Sequence, residues 1–307
     1  MASAPAKVML FGEYAVLEGH RAVAMCLDRR ISCRVERGGG RLAVRAPGVF
    51  EPAIDLPMTA LDSAACPDPR LQLLWPLLRR HSDSTGLCLD FSAEFPPTWG
   101  LGSSSAAGLA AAAALSGPTP SLFGEVLAAQ RALQGQASGY DVATQLLGGF
   151  VLYQGGSTPK MERLDVPEMD WLLAWTGVKA ATGPMIGKVR ERFPSGHSIY
   201  SAIGALSESA IGLLCSGHCQ ALGEALNEGH ALLAQLGAVP DVLGDRVRGL
   251  QEDPSVFGAR MTGAGGGDSV LLLVQDRAAA SAAVQACGLN VLAIGPEAEG
   301  LRMESTA

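Results

Sequence analysis

Residues 96–115, PPTWGLGSSSAAGLAAAAAL, constrain the fold more than any other stretch. Alanine loses the least on entering a helix, so the alanine run predicts one. Pro96 and Pro97 cannot sit inside a preceding helix or a central strand. The segment therefore reads as strand, loop, helix start. At such a start four backbone N–H groups lack partners, and the helix dipole is positive. Gly100 and Gly102 remove side chains from the loop, so a ligand can approach the backbone. An anion fits these conditions, and phosphate is the obvious candidate. Serines ahead of a helix also serve as plain caps, so the rest of the chain has to decide.

A length of 307 residues allows about two domains. With 48% hydrophobic and 17% charged residues, the chain has ample material for a core. The net charge of −7 argues against a general nucleic-acid binder, though not against a local phosphate site. The seven cysteines are odd in number and scattered, with no CxxC pair. Cys215 and Cys219 flank His218, but no second cluster completes a zinc site. Free thiols in a reducing compartment follow. Lys7 and Glu13 interrupt the apolar N-terminal residues, so no signal-peptide core forms. The longest apolar run lies in the 96–115 segment and is too short and too weakly hydrophobic to span a bilayer. The expectation is a soluble cytoplasmic protein without membrane or nucleic-acid partners.

Residues 6–46, short apolar runs broken by glycine, read as several strands with tight turns, glycines 38–40 separating two of them. Residues 68–81 have helical spacing, with Pro76 as an irregularity. Residues 86–95 alternate as a half-buried strand. Residues 121–135 predict a helix closed by Gly135. Strands are expected at 148–156 and 170–177, and three amphipathic helices within 198–252. Residues 258–276 read as strand, glycine loop, strand. A helix and a final strand, NVLAIG, follow. A composition shift predicts a domain boundary near 156. Both halves mix helices with antiparallel-type strands, so the class is α+β.

Four segments stand out: KVMLFGEYAVLEGH with Lys7, Glu13 and Tyr14; the glycine–serine loop; QGQASGYDVA with Asp141; and MTGAGGGDS at 261–269. No GxxxxGK[ST] occurs, which excludes a P-loop enzyme, and no GxGxxG opens a βαβ unit. Each segment also has a plain reading. Lys7 could be a solvated strand residue, Asp141 a helix cap, and 263–267 a turn. Their order along the chain resembles the GHMP kinases, the family of galacto-, homoserine, mevalonate and phosphomevalonate kinases. The likeness covers nearly the whole chain.

The resemblance implies two lobes. Residues 1–156 would form an ATP-binding lobe like domain 2 of ribosomal protein S5, and residues 157–307 a ferredoxin-like lobe. It implies ATP and Mg²⁺ as cofactors and a small-molecule acceptor, and it allows a homodimer. Backbone N–H groups from Gly100, Leu101, Gly102, Ser103, Ser104 and Ser105 would cradle the phosphates, with Ser104 reaching Mg²⁺. Asp141 would handle the proton of the acceptor hydroxyl, and Lys7 would stabilise the alkoxide and the transferred group. An adjacent lysine also favours the charged form of a carboxylate. Glu13, Tyr14, Ser138, Gly139, Lys179, Thr182, Gly263, Ala264 and Gly265 would meet the acceptor.

Three positions depart from the mevalonate kinase pattern. Tyr14 stands where those enzymes carry histidine, and Asp268 where they carry another glycine. Gln130 stands eleven residues before Asp141, where they carry a glutamate serving Mg²⁺. An amide binds a hard cation more weakly than a carboxylate. The segment at 175–193 is similar to the phosphomevalonate kinase substrate segment. It offers Lys179, Lys188, Arg190 and Arg192 to a phosphorylated acceptor. Lys179 precedes the helix and is the better candidate, and the other three read as a solvated helix face. The resemblance therefore implies transfer to phosphomevalonate. Mevalonate phosphorylation, diphosphomevalonate decarboxylation and a non-catalytic regulator are the alternatives.

Overall fold

The computed structural model describes residues 1–82, 85–179 and 182–305. Among these, twelve strands form two sheets. The first sheet collects β1 (Ala2–Phe11), β2 (Arg21–Arg37), β3 (Arg41–Ala46), β4 (Phe50–Pro57), β5 (Leu87–Ala93), β6 (Phe150–Gln154), β7 (Lys160–Leu164) and β12 (Arg302–Met303), the last strand of the chain. The second contains β8 (Trp171–Trp175), β9 (Val256–Met261), β10 (Ser269–Val274) and β11 (Asn290–Leu292). The helices are α1 (Trp75–His81), α2 (Ser103–Ser116), α3 (Leu122–Gln134), α4 (Tyr140–Leu147), α5 (Thr182–Arg192), α6 (Ser198–Ser216), α7 (Cys219–Gln235), α8 (Asp241–Gln251) and α9 (Arg277–Ala286).

The first sheet runs β12-β1-β2-β5-β3-β4, with β6 and β7 branching from β2. β2 is 17 residues long, which lets one strand serve two neighbours on one edge. Its residues 21–25 pair with β6 and its residues 31–37 with β5. The pairings are antiparallel except for β3 with β5. The second sheet, β11-β8-β10-β9, is antiparallel throughout. β8 and β10 are apolar on both faces because helices or the other lobe cover both.

Helix α2 packs on β1 and β2. It is buried nearly all round, so alanine serves where an amphipathic helix would show a polar face. Ala106, Ala110 and Ala113 carry only a methyl group, which lets the helix axis lie close to the sheet and fixes where its N-terminus points. Helix α6 is the one described helix long and apolar enough to cross a membrane on length and composition alone. Its Ile199, Ile203, Leu206 and Leu214 are buried in the core shared with α7 and β2, as in a core helix. All seven cysteines are free thiols.

Three local expectations change. The 68–81 segment is not one helix. Pro76 occupies the first turn of α1, where its missing N–H costs nothing, and residues 69–71 form a separate 3₁₀ turn. The glycines at 155–156 turn a hairpin, since β6 and β7 pair across them, so the first sheet continues past residue 156. NVLAIG is not the last strand. The chain continues back along the first sheet until β12 pairs with β1.

Candidate active site

A cavity of about 340 Å³ opens where the two sheets approach each other. Three hydrogen bonds across the cleft hold its walls together. Thr262 Oγ1 donates to Met9 O at 2.9 Å, Ser269 Oγ to Trp99 O at 2.8 Å, and Arg260 Nη1 to Leu10 O at 2.6 Å. Lys7, Glu13, Tyr14 and Asp141 line the cavity, as do Gly100, Gly102 and the three serines of the loop. Ser138, Lys179, Gly263 and Ala264 complete the sequence-derived residues on its wall.

The start of α2 is open to the cavity. Gly102 occupies the N-cap position with φ 77°, and no side chain caps the first turn. The serines therefore do not act as caps. Ser105 is fully buried, and its hydroxyl donates back to Gly102 O at 3.0 Å. The two glycines are needed for closeness. A Cβ on Gly102 would lie 2.7 Å from Lys7 Cε, and one on Gly100 would lie 2.5 Å from the Asp268 carboxylate. The loop is thus pressed against a lysine from one lobe and an aspartate from the other.

Lys7 is buried on β1, and its backbone N–H donates to Leu101 O at 3.0 Å. Its ammonium donates to Tyr140 Oη at 3.0 Å. Burial pulls its pKa down, but the fields of Tyr140, Asp141 and Asp268 outweigh that and hold it above the ordinary lysine value. Burial likewise pushes the Tyr140 phenol up, against the pull of Lys7. The hydrogen-bond partner of the lysine is therefore Tyr140, and Asp141 acts on Lys7 through its field. Asp141, in the first turn of α4, binds through Oδ2 to Gln130 Nε2 at 2.8 Å and through Oδ1 to Val142 N–H at 2.9 Å.

Glu13 and Tyr14 join the lobes as well as lining the cleft. Glu13 Oε2 lies 2.6 Å from Arg260 Nη2, both side chains being almost fully buried. The Tyr14 hydroxyl donates to Ala264 O. Burial, with Glu13 adding to it, pushes the Tyr14 phenol well above its ordinary value. Tyr14 (φ 63°) and Asp268 (φ 61°) are the non-glycine residues with positive φ among those described, and both line this cleft. Such backbone outliers concentrate at functional sites.

Other sequence-derived residues stand behind the wall. Leu101 buries its side chain in the core. Gly139 packs against Tyr153 and Leu127, and Gly265 against Ala238. Thr182 opens α5, and its side chain lies outside the described residues. Lys188 is exposed, whereas Arg190 pairs with Glu18 at 2.9 Å and ties α5 to the 15–18 turn. Sequence reasoning missed Tyr140 and Arg260. Tyr140 sits beside Asp141 in a motif already singled out. Arg260 is an arginine inside an apolar strand, a pattern that calls for a buried acidic partner.

A family model for the GHMP kinases N terminal domain matches residues 71–149, and one for GHMP kinases C terminal matches residues 210–290. The first match contains the glycine–serine loop and Asp141, and together the two span more than half of the chain. The chain is a GHMP kinase. This GHMP kinase is 29% identical to the mevalonate kinase of Thermococcus sibiricus, with 99% of this chain and 98% of that protein covered. Its fold matches the Methanococcus jannaschii mevalonate kinase structure with a TM-score of 0.80 at 20% identity, covering 96% and 98% of the two chains. It also matches Streptococcus pneumoniae phosphomevalonate kinase in complex with phosphomevalonate and AMPPNP, with a TM-score of 0.79 at 18% identity and 96% and 99% coverage. As a GHMP kinase it is an enzyme whose phosphate donor is ATP.

Proposed function

We propose that this kinase transfers the γ-phosphoryl group of ATP to phosphomevalonate, giving mevalonate diphosphate. The observation that carries the reading is the position of the three departures from the mevalonate kinase pattern. Tyr14, Gln130 and Asp268 come from separate parts of the chain and all line one cleft with Lys7 and Asp141. Changes gathered around an acceptor pocket are what a changed acceptor requires. Lys179, exposed on the rim of that cleft, supplies a cation for a phosphate the acceptor already carries.

In this reading the uncapped N–H groups of α2 bind the nucleotide phosphates. Mg²⁺ would enter with the nucleotide as part of the substrate, and by the family resemblance the Ser104 hydroxyl, one of three serines on the cavity wall, would meet it. Lys7, aimed by Tyr140, faces the transferred phosphoryl group and the developing alkoxide. Asp141 accepts or orients the proton of the acceptor hydroxyl. Phosphoryl transfer is chiefly positioning and charge neutralisation, and these groups supply both.

Mevalonate is the second reading, favoured by mevalonate kinases that align over nearly the whole chain. Offering ATP–Mg²⁺ with mevalonate, phosphomevalonate and diphosphomevalonate separately decides between them. ADP release with phosphomevalonate alone is expected, and release with mevalonate alone selects the second reading. CO₂ from diphosphomevalonate, or silence from every acceptor, overturns both. Lys179→Ala should raise KM for phosphomevalonate roughly three- to tenfold, the low end for a hydrogen bond to a charged group at an exposed rim, and leave KM for ATP unchanged. An unchanged acceptor KM would remove Lys179 from the site.

A further inference from the structure

Gln130 is buried on α3, eleven residues before Asp141, and its amide is used unevenly. Nε2 donates to Asp141 Oδ2 at 2.8 Å, while Oε1 has no partner. The orientation follows from chemistry, because the reverse would set two acceptors against each other. The other oxygen of Asp141 is held by the Val142 N–H. Between the two residues the chain leaves α3, and Arg131 Nε pins the intervening loop through Ala137 O at 3.1 Å. The Tyr153 hydroxyl holds the same loop through Ser138 O. Asp141 is therefore gripped from two helices, and only the grip from α3 is a side chain that mutation can change.

We propose that Gln130 is the positioning residue for Asp141: its amide N–H fixes the carboxylate toward the acceptor hydroxyl, and its being an amide makes Asp141 a solitary carboxylate. The inference rests on the proton-handling role given to Asp141 under the proposed function. A glutamate at position 130 would bring a second carboxylate into contact with the first. Two carboxylates that close share one proton, and the protons then leave in two separated steps. The identity of residue 130 thus decides whether the cleft works with a lone carboxylate or with a carboxylate dyad. The other titratable groups that act on Asp141 are Lys7 on β1, Tyr140 beside it on α4 and Tyr153 on β6. Lys7 keeps its own partner, Tyr140, when residue 130 is changed. The unpaired Oε1 remains an acceptor for a donor brought by the substrates.

The test compares wild type with Gln130→Met, Gln130→Glu and Asp141→Asn. Gln130→Met keeps the shape and loses the donor. Its kcat should fall roughly 10- to 100-fold, the cost of a reacting group held out of place, with KM for ATP unchanged. Gln130→Glu should displace the acidic limb of the kcat–pH profile, upward if the new carboxylate shares the proton of Asp141 and downward if it meets Mg²⁺ during turnover. Thermal unfolding against pH reads the same contact without turnover. The Gln130→Glu variant should lose stability relative to wild type as pH rises from 5 to 8, where the shared proton is shed. Gln130→Glu/Asp141→Asn should reduce that loss to the part that burial of a single glutamate imposes. If Asp141→Asn is inactive while both Gln130 variants keep wild-type kcat, pH profile and pH–stability curve, the inference is wrong and the functional reading stands. If Asp141→Asn turns over normally, or the wild type is silent with every acceptor, the reading falls and the inference with it.

Discussion

Helices α2 and α4 begin alike and do opposite things. Each follows a glycine with positive φ, Gly102 at 77° and Gly139 at 95°, and neither has a side-chain cap. Residues at both starts line the same cleft. The first turn of α2 holds Ser103, Ser104 and Ser105 and no acid, so its positive end is left for an anion arriving from outside. The first turn of α4 holds Asp141, whose carboxylate already takes a backbone N–H of that turn. In the proposed reading one helix end is a binding site for charge, and the other is a mount for a charge of its own. Two glycine-preceded helix starts that read similarly in sequence are thus separated by one aspartate.

The largest effect should come from emptying the mount. Asp141→Asn is expected to lower kcat by about 10²- to 10⁴-fold, the range for a proton-transfer group, with nucleotide affinity by calorimetry nearly intact. Loss of nucleotide binding instead would mean that both helix ends serve the nucleotide. Next in size stands a pH effect that neither helix end owns. Burial, with Arg260 and Arg248 nearby, lowers the His230 pKa to about 4. The folded protein therefore holds this histidine neutral while the unfolded chain protonates it below about pH 6.5. Its contribution is fully present above pH 6.5 and is lost as pH falls toward 4, amounting to about 3 kcal/mol at the low end. His230→Gln, which keeps an acceptor for the Met261 N–H, should flatten that part of a chemical-denaturation pH series. A slope unchanged in the variant would assign the acid sensitivity elsewhere.

The smallest effect is the most direct on the comparison. Ser104→Asp would give α2 an acid in its first turn, as α4 has. Nucleotide affinity should fall at least about tenfold, since a like charge would meet the phosphates. Fold stability should rise by about 0.3–1 kcal/mol from the helix dipole. Tight nucleotide binding by this variant would show that the start of α2 is not where phosphate sits.

Much of this contrast is legible in the sequence. Local chemistry announced α2, α3, the strands of the first 46 residues and the loop at 262–268, because glycine, proline and alanine act within a few residues. Lys7 and Asp141 become candidates through the resemblance to the GHMP kinases, since local chemistry alone also allows a solvated lysine and a helix cap. What was not legible depends on partners far apart in the chain. The Tyr140 hydroxyl on Lys7 joins positions 133 apart, and Arg260 finds a carboxylate only because β9 folds against the end of β1. Gln130 was visible as an exception, but its hydrogen bond required the geometry of the α3–α4 turn. The pairing of β7 with β6 was hidden because Gly155 and Gly156 serve equally well in a linker and in a hairpin.

The return of the chain to β1 bears on how the molecule is made. Ser3 Oγ donates to Glu304 Oε1 across 301 positions of sequence, beside the β1–β12 pairing. Residues 2 and 3 on the outer edge of β1, the strand that carries Lys7, therefore stay unpaired until residues 302–304 have been translated and have left the ribosome. A polypeptide of residues 1–301 would leave that short stretch of strand edge bare. Compared with residues 1–307, it should be cut more readily by protease around residues 2 and 3, far in sequence from the residues removed.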